Sequence, residues 1–312
     1  MDTSMSFDAF IAIVVKDVQK RKGENCQIFS NTVRKNNGVE LTGIIIKRAD
    51  CNAFPTVYID DFYVEYQKGA DYDSILSRII NILEDARVDN TVDLSDFLCY
   101  EKTSSRIVFK LINYEKNREL LKEIPYKIFC DLAVVFYYTV MEPPFCGRAS
   151  ILIYNSHMEK WGVDSEELFL RAMENTPRLL PAQIENLEEL MFGMLEGCKD
   201  EELLTELRQE FVKGRNIMPM YVLTNKQKLL GAACMLYPHV IRDFAGKMEK
   251  DVYILPSSVH EVILLPFSEY VSKESLVEMV TEINSTQVEE YEVLADSVYY
   301  YKLSEDCIEQ IM

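Results

Sequence analysis

The sequence predicts an α+β fold in which antiparallel β-hairpins alternate with helices packed on the sheet. Three observations support this prediction. Several segments are β-branched and alternate apolar with polar residues, as at Val39–Ala49, which follows the turn residues Asn36–Gly38. Other segments, such as Tyr72–Val88, place apolar residues at helical spacing. The strand–helix–strand order that a parallel doubly wound sheet needs is mostly absent.

The first part of the chain is predicted to begin with an amphipathic helix, which ends at Gly23. Strands and helices then follow as far as Pro125. The expected elements, in chain order, are a helix at Phe7–Lys22, strands at Val39–Ala49 and Pro55–Asp60, a helix at Tyr72–Val88, a strand at Arg106–Asn113 and a short helix at Glu115–Ile124.

From Asp131 onward, a pair of strands followed by a helix recurs three times. The first unit has strands at Asp131–Met141 and Arg148–Asn155 around a Pro-Pro-Phe-Cys-Gly turn and a helix at Val163–Glu174; the second has a strand in Ile217–Asn225 and a segment, Leu229–Met248, that starts as a strand or helix and ends helical; the third has strands at Asp251–Pro256 and His260–Pro266 and a helix at Lys273–Ile283. The remaining expected elements are helices at Pro181–Glu196 and Asp200–Lys213 and a last strand at Asp296–Leu303. The spacing is uneven, so the units do not form a solenoid.

The length indicates two domains or one large one, because a chain of 312 residues can bury a substantial core. We expect an N-terminal α/β region at 1–113 and a C-terminal α+β domain at 114–312, built of the hairpin–helix units. Glycine and proline are few, 11 and 10, which argues against long disordered linkers.

The acidic composition excludes some classes of function. A net charge of −18 and a pI near 4.7 disfavour nucleic-acid binding, which needs clustered Lys and Arg, and disfavour anionic membranes. The eight cysteines form no C-x-x-C pair and lie beside no histidine at metal-ligand spacing, so we expect reduced thiols and no metal. The chain has no G-x-G-x-x-G and no G-x-x-x-x-G-K-[ST] motif, so we expect no cofactor. The apolar run Ala9–Val15 lacks a basic leader and a cleavage site, which predicts a cytoplasmic protein.

The segment "YILPSSVHEVILLP" places Ser257, Ser258, His260 and Glu261 between two apolar runs. A serine nucleophile needs a base within hydrogen-bond reach and an acid that orients the base. On a strand, His260 and Glu261 project to opposite faces, which weakens this interpretation. A turn in which the serines bond their own backbone explains the residues more simply. A polar binding edge that includes Glu261 is the third alternative.

A second polar cluster follows the strand that ends at Asn113. The segment "LINYEKNRELL" holds Asn113, Tyr114, Lys116 and Asn117 between a strand and a helix. Asn113 is well placed to cap the helix. Asn113, Tyr114 and Asn117 are candidate binding residues.

Six ordered segments resemble a known family. They are "NNGVELTGIIIK", "PTVYIDDFYVEYQKG", "LINYEKNRELLKEIPY", "DLAVVFYYTV", "LTNKQKLLGAACMLYPHVI" and "YILPSSVHEVILLP". Together they resemble domain-of-unknown-function family 5688 of Gram-positive gut anaerobes over nearly the whole chain. The resemblance implies a bacterial, cytoplasmic setting and brings no activity or cofactor.

Two functional hypotheses follow from the sequence. The first is a non-catalytic binding or adaptor module whose partner is another protein, because catalytic motifs are missing and hairpin edges are expected to be exposed. The alternative is a hydrolase that uses Ser257 or Ser258 with His260. The sequence leaves the oligomeric state open.

Overall fold

The computed structural model describes residues 5–48, 54, 56–85, 95–140, 149–195 and 219–311. The chain divides into two compact units, Met1–Asp96 and Phe97–Met312. The domain boundary expected between residues 113 and 114 stays a prediction. The strand that ends at Asn113 pairs within the second unit.

The first unit combines helices with a three-stranded antiparallel sheet of order β1-β2-β3. Its described elements are α1 (Phe7–Lys22), β1 (Cys26–Arg34), β2 (Glu40–Arg48), β3 (Thr56–Tyr58), α2 (Asp60–Gln67) and α3 (Tyr72–Asp85). The Ser6 side chain accepts the N–H of Ala9 and caps α1, and Gly23 ends α1 at a φ of 75°.

One face of each main helix in this unit is apolar and packs on one face of the sheet. Apolar residues of α1 and α3, spaced three or four apart, pack against every second residue of β1 and β2. These spacings place each set on one face of its helix or strand. The buried contributors are Phe10, Val14 and Val18 from α1, Ile75, Ile79 and Leu83 from α3, and Ile28, Ile44 and Ile46 from the sheet.

The second unit holds two antiparallel sheets. Its described elements are α4 (Tyr100–Thr103), β4 (Ile107–Asn113), α5 (Arg118–Leu121), β5 (Tyr126–Phe129), β6 (Leu132–Val140), β7 (Ala149–Leu152), α6 (Asn155–Trp161), α7 (Ser165–Leu179), β8 (Ala182–Asn186), α8 (Leu187–Leu195), β9 (Tyr221–Asn225), α9 (Val240–Met248), β10 (Val252–Pro256), β11 (Val262–Pro266), α10 (Lys273–Thr286), β12 (Tyr299–Lys302) and β13 (Cys307–Gln310).

The smaller sheet has the order β4-β6-β5, with β7 also paired to β6, and the larger has the order β13-β12-β10-β11-β9-β8. The two sheets share one hydrophobic core, to which α7, α9 and the 3₁₀ helix Gly231–Leu236 also contribute. Helix α10 covers the other face of the larger sheet through Leu276 and Val280. Strands β8 and β13 are the two edge strands of the larger sheet, and both faces of this sheet are packed against other elements.

The α+β class and its antiparallel pairing are confirmed. The expected helix at Phe7–Lys22 has these same bounds, and the hairpins β6–β7 and β10–β11 form as expected. The expected helix Asp200–Lys213 and the Pro-Pro-Phe-Cys-Gly turn lie outside the described residues.

Other predicted elements are wrong. The expected helix Pro181–Glu196 begins as strand β8, because pairing with β9 overrides the local helix propensity of that segment. The helix expected at Glu115–Ile124 shortens to α5. Strands β1 and β5 were missed. The segment Leu229–Met248, by contrast, agrees with one of its two expected alternatives, because it starts with the 3₁₀ helix Gly231–Leu236 and ends as α9.

Candidate binding groove and the predicted site residues

The turn between β10 and β11 is closed by its own polar groups. The Oγ of Ser258 accepts the backbone N–H of His260 at 3.0 Å, and the backbone N–H of Ser258 donates to the carbonyl of Glu261 at 3.2 Å. Ser258 is buried, whereas Ser257 is half-buried. These bonds account for Ser258 as a turn residue.

The imidazole of His260 bonds to groups other than the serines. Its Nδ1 accepts the backbone N–H of Leu230 at 3.0 Å, and its Nε2 lies 3.3 Å from Oε1 of Glu292. Because Nδ1 accepts, a neutral ring carries its proton on Nε2 and donates it to Glu292. The carbonyl of His260 accepts from the hydroxyl of Thr224 at 2.8 Å. His260 thus joins three chain segments, and its role as a catalytic base stays a prediction.

The second predicted cluster is largely internal. Asn113 and Asn117 are buried, at 8% and 2% exposure. Asn113 accepts the N–H of Lys116 through Oδ1 at 2.9 Å and donates to the carbonyl of Leu294 at 3.1 Å. The side chain of Asn117 donates to the carbonyl of Asn113 at 2.8 Å. These contacts tie the β4 turn to the segment before β12, and a binding role for Asn113, Tyr114 or Asn117 stays a prediction.

Strand β8 is an edge whose outward groups follow from its register. Among the described strands it pairs only with β9, and the bonds from Lys226 N–H to Pro181 O and from Leu187 N–H to Met220 O fix which residues face β9. In an antiparallel ladder the residues between these bonded positions turn their N–H and C=O outward. Ala182 and Ile184 therefore turn their backbone N–H and C=O groups away from β9, toward a side on which no described strand lies.

Helix α9 lies beside this edge. Val240, Phe244 and Lys247 occupy one face of the helix, at spacings of three and four residues. The ring of Phe244 packs edge-on against that of Tyr221 on β9, with centroids 4.9 Å apart. This contact fixes the helix over the sheet at the end where β8 is the outermost strand.

A groove of about 610 Å³ lies between β8 and α9, within the usual volume range of ligand sites. Its lining combines apolar and aromatic side chains with charged side chains that are exposed. The lining residues are Ala182, Ile184, Asn186, Glu189, Tyr221, Val240, Asp243, Phe244, Lys247 and Met248. Within the described part of the chain, the exposed ammonium of Lys247 forms no ion pair.

The sequence interpretation missed this groove because it assigned β8 to a helix. The available signal was the alternation of apolar Ala182 and Ile184 with polar Gln183 and Glu185. No local signal relates β8 to α9, which are far apart in the chain. Among the described residues, no group of His, Cys, Asp and Glu could hold a metal ion, and no described helix is long and apolar enough to cross a membrane.

The fold is an α+β arrangement of antiparallel sheets in which a sheet edge and a helix enclose a groove. The chain belongs to DUF5688, a family of unknown function, whose family model matches residues 7–303. This match confirms the family that the sequence segments indicated. No curated protein and no solved structure matches the chain.

Proposed function

We propose that this protein is a non-catalytic binding module that takes an extended segment of another protein in the groove between β8 and α9. One observation carries the proposal. Ala182 and Ile184 line the groove with their side chains and also expose their backbone groups along the edge. A segment added as a strand beside β8 would gain main-chain hydrogen bonds, and its alternate side chains would enter the groove.

The lining indicates which segment would bind. The rings of Tyr221 and Phe244 and the side chain of Ile184 favour an apolar residue, whose burial contributes about 1.5–3 kcal/mol. The ammonium of Lys247 favours an acidic residue or a terminal carboxylate next to it. Glu189 and Asp243 in the lining disfavour a second carboxylate. The preferred ligand is therefore an extended segment that alternates apolar residues with few charges and carries one carboxylate.

The proposed setting is the cytoplasm. In the described part of the chain, Cys26, Cys99, Cys130, Cys234 and Cys307 are free thiols. Free thiols on partly exposed positions are usual in a reducing compartment. The high negative charge supports solubility in the same setting.

The test is a peptide selection against the full-length chain, using a random displayed library followed by titration of the recovered peptides. We expect peptides with apolar residues at alternate positions and one carboxylate. Ala182→Pro removes an edge N–H that does not bond to β9, so the strand should persist while binding weakens about tenfold or more. Ala182→Val is the matched control, because it adds similar side-chain volume and keeps the N–H.

A second pair of variants tests the charge preference. Lys247→Glu should weaken binding of the carboxylate-bearing peptides, whereas Lys250→Glu, an exposed site outside the groove, should not. Recovery of no binding peptide would refute the proposal. Equal affinity for the wild-type chain and Ala182→Pro would refute it as well.

A further inference from the structure

Strand β1 forms a second open sheet edge, in the first unit. All nine residues, Cys26–Arg34, pair in register with β2 from Cys26↔Arg48 to Arg34↔Glu40, without a bulge. Its other side has no neighbouring strand in the described sheet. The strand carries no proline, and its only charge is Arg34 at the end. The features with which proteins usually block an edge are therefore missing from most of its length.

The side chain of Gln19 already forms hydrogen bonds with two backbone groups of this edge, as a neighbouring strand would. The carboxamide of Gln19 on α1 donates from Nε2 to the carbonyl of Cys26 and accepts through Oε1 from the N–H of Ile28, both at 3.0 Å. A side-chain amide thus takes the position of a peptide group beside β1. It also shows that Cys26 and Ile28 turn their backbone groups outward.

The outward positions continue along the strand. Because outward and inward residues alternate, Ser30 and Thr32 also present their N–H and C=O to the open side. The bonds of Thr42 on β2, which lies opposite Thr32, support this assignment. Thr42 donates its N–H to Asp60 and accepts the N–H of Ile59 with its carbonyl, so its backbone groups point away from β1, as those of Thr32 then point away from β2. No side chain of the described residues bonds the outward groups of Ser30 and Thr32. As far as the described residues show, the edge is therefore open from Ser30 to the end of β1.

The sheet face opposite the core also offers apolar surface. Residues that alternate with the buried Ile28 and Ile44 lie on this outer face, and they pair across the strands. The half-buried outer-face residues are Phe29, Val33, Leu41, Ile45 and Tyr58. A strand added to β1 would extend this face and cover part of it.

The β1–β2 hairpin is basic in an acidic protein. Residues 26–48 contain four basic residues, Arg34, Lys35, Lys47 and Arg48, against one acidic residue, Glu40, whereas the whole chain has a net charge of −18. The basic residues stand at both ends of the hairpin, because Arg34 ends β1 and Cys26 pairs with Arg48. Both ends of the edge therefore favour a negatively charged partner.

We propose that the open edge of β1 binds an acidic, extended segment of a partner protein as an added β-strand. This site is separate from the groove between β8 and α9, and two sites on two units would make the protein an adaptor. A second copy of the chain fits less well. Pairing two β1 edges would bring together two hairpins that each carry a net positive charge, and like charges would oppose it.

The test uses the full-length chain and a fluorescein-labelled, acetylated peptide as long as β1, in which valine alternates with glutamate. Its controls are the same peptide with lysine for glutamate and a glutamate peptide that is N-methylated on alternate residues. We expect the glutamate peptide to bind, with an affinity that falls about tenfold as salt rises to about 0.3 M. The lysine and N-methylated peptides should not bind.

Variants locate the binding on the edge. Thr32→Pro removes an outward N–H and should abolish binding, whereas Thr32→Val keeps the N–H and should retain it. If Thr32→Pro does not fold, the double variant Arg34→Glu/Lys47→Glu, at exposed positions, should weaken binding about tenfold or more. Ala182→Pro should leave this affinity unchanged, which separates this site from the proposed groove.

Three outcomes would overturn the proposal. The first is equal binding of the lysine and glutamate peptides. The second is unchanged affinity in a folded Thr32→Pro chain and in Arg34→Glu/Lys47→Glu. The third is a concentration-dependent dimer, in sedimentation of the peptide-free chain, that Thr32→Pro dissociates, because it would assign the edge to a second copy.

Discussion

The imidazole Nδ1 of His260 accepts the backbone N–H of Leu230 at 3.0 Å, across two loops that lie far apart in the sequence. Leu230 has a φ of 56°, in the left-handed region that a leucine rarely adopts. The bond therefore helps to hold a strained residue at the start of the 3₁₀ helix Gly231–Leu236. A histidine that looked catalytic in sequence has a structural explanation in the fold.

Removal of this imidazole should destabilise the protein. His260→Ala leaves the half-buried N–H of Leu230 without its acceptor and removes the contact with Glu292, so we expect a loss of about 1–3 kcal/mol in the free energy of unfolding. Urea denaturation measures the effect. His239→Asn is the control: His239 is exposed with a φ of 68°, which asparagine tolerates, so stability should change little. Equal stability of His260→Ala and the wild type would contradict the structural role.

The hydrolase alternative has its own chemical test. The Oγ of Ser258 accepts a backbone N–H, and both ring nitrogens of His260 have partners other than a serine. Among the described residues, no hydrogen bond joins the His260 ring to Ser257 or Ser258, which such an activated serine needs. We expect a serine-reactive fluorophosphonate to leave the folded chain unlabelled, as read by intact-protein mass spectrometry. Stoichiometric labelling that Ser257→Ala or Ser258→Ala abolishes, and that depends on His260, would restore the hydrolase hypothesis.

The sequence predicted elements whose signals are local. Helix α1 was predicted with its observed bounds because both of its signals are local: apolar residues recur at helical spacing, and a glycine follows directly after the last residue. Strand β8 was not, because the residues from Pro181 are compatible with a helix and become a strand only by pairing with β9. Strand β1 was missed since Ser30–Thr32 interrupt its apolar alternation on an exposed edge. The alternation at 182–185 could have indicated strand β8, but no local signal shows which strands pair and which of them lie at a sheet edge.

Close backbone packing near His260 gives a second stability prediction. A Cβ added to Gly231 would lie 2.6 Å from the backbone nitrogen of Asn225 and 2.7 Å from the carbonyl oxygen of His260, and would also overlap the hydroxyl of Thr224. Backbone atoms cannot move aside cheaply, so Gly231→Ala should cost about 1–3 kcal/mol or more. Thermal and urea unfolding give the measurement.

The matched control for Gly231 is a glycine in open space. Gly193 lies in α8, and no atom of the described residues lies within 4 Å of the Cβ that alanine would add there. Gly193→Ala should therefore raise stability by about 0.5–1 kcal/mol, through reduced backbone entropy of the unfolded chain. A Gly231→Ala chain as stable as Gly193→Ala would show that the loops around His260 pack less tightly than the structure has them.

A titratable group at the start of α6 predicts how stability depends on pH. His157 accepts the N–H of Tyr154 through Nδ1 at 3.1 Å, and its ring packs 5.0 Å from that of Phe97 and 5.8 Å from that of Trp161. Burial, and secondarily the charge of Lys160, lowers the pKa of His157 below its ordinary value of 6.5. Protonation also places a proton on the nitrogen that accepts from Tyr154.

The sign of the effect follows from the lowered pKa. Near pH 6.5 and below, the unfolded chain binds a proton at His157 more readily than the folded chain does, so stability is present above this pH and is lost as pH falls through the lower folded pKa. His157→Gln keeps a side-chain acceptor for the N–H of Tyr154 without a titrating group. Urea unfolding between about pH 7.5 and about pH 5.5 should show a steeper loss in the wild type than in His157→Gln. Parallel pH profiles of the two chains would mean that His157 titrates alike in the folded and unfolded states.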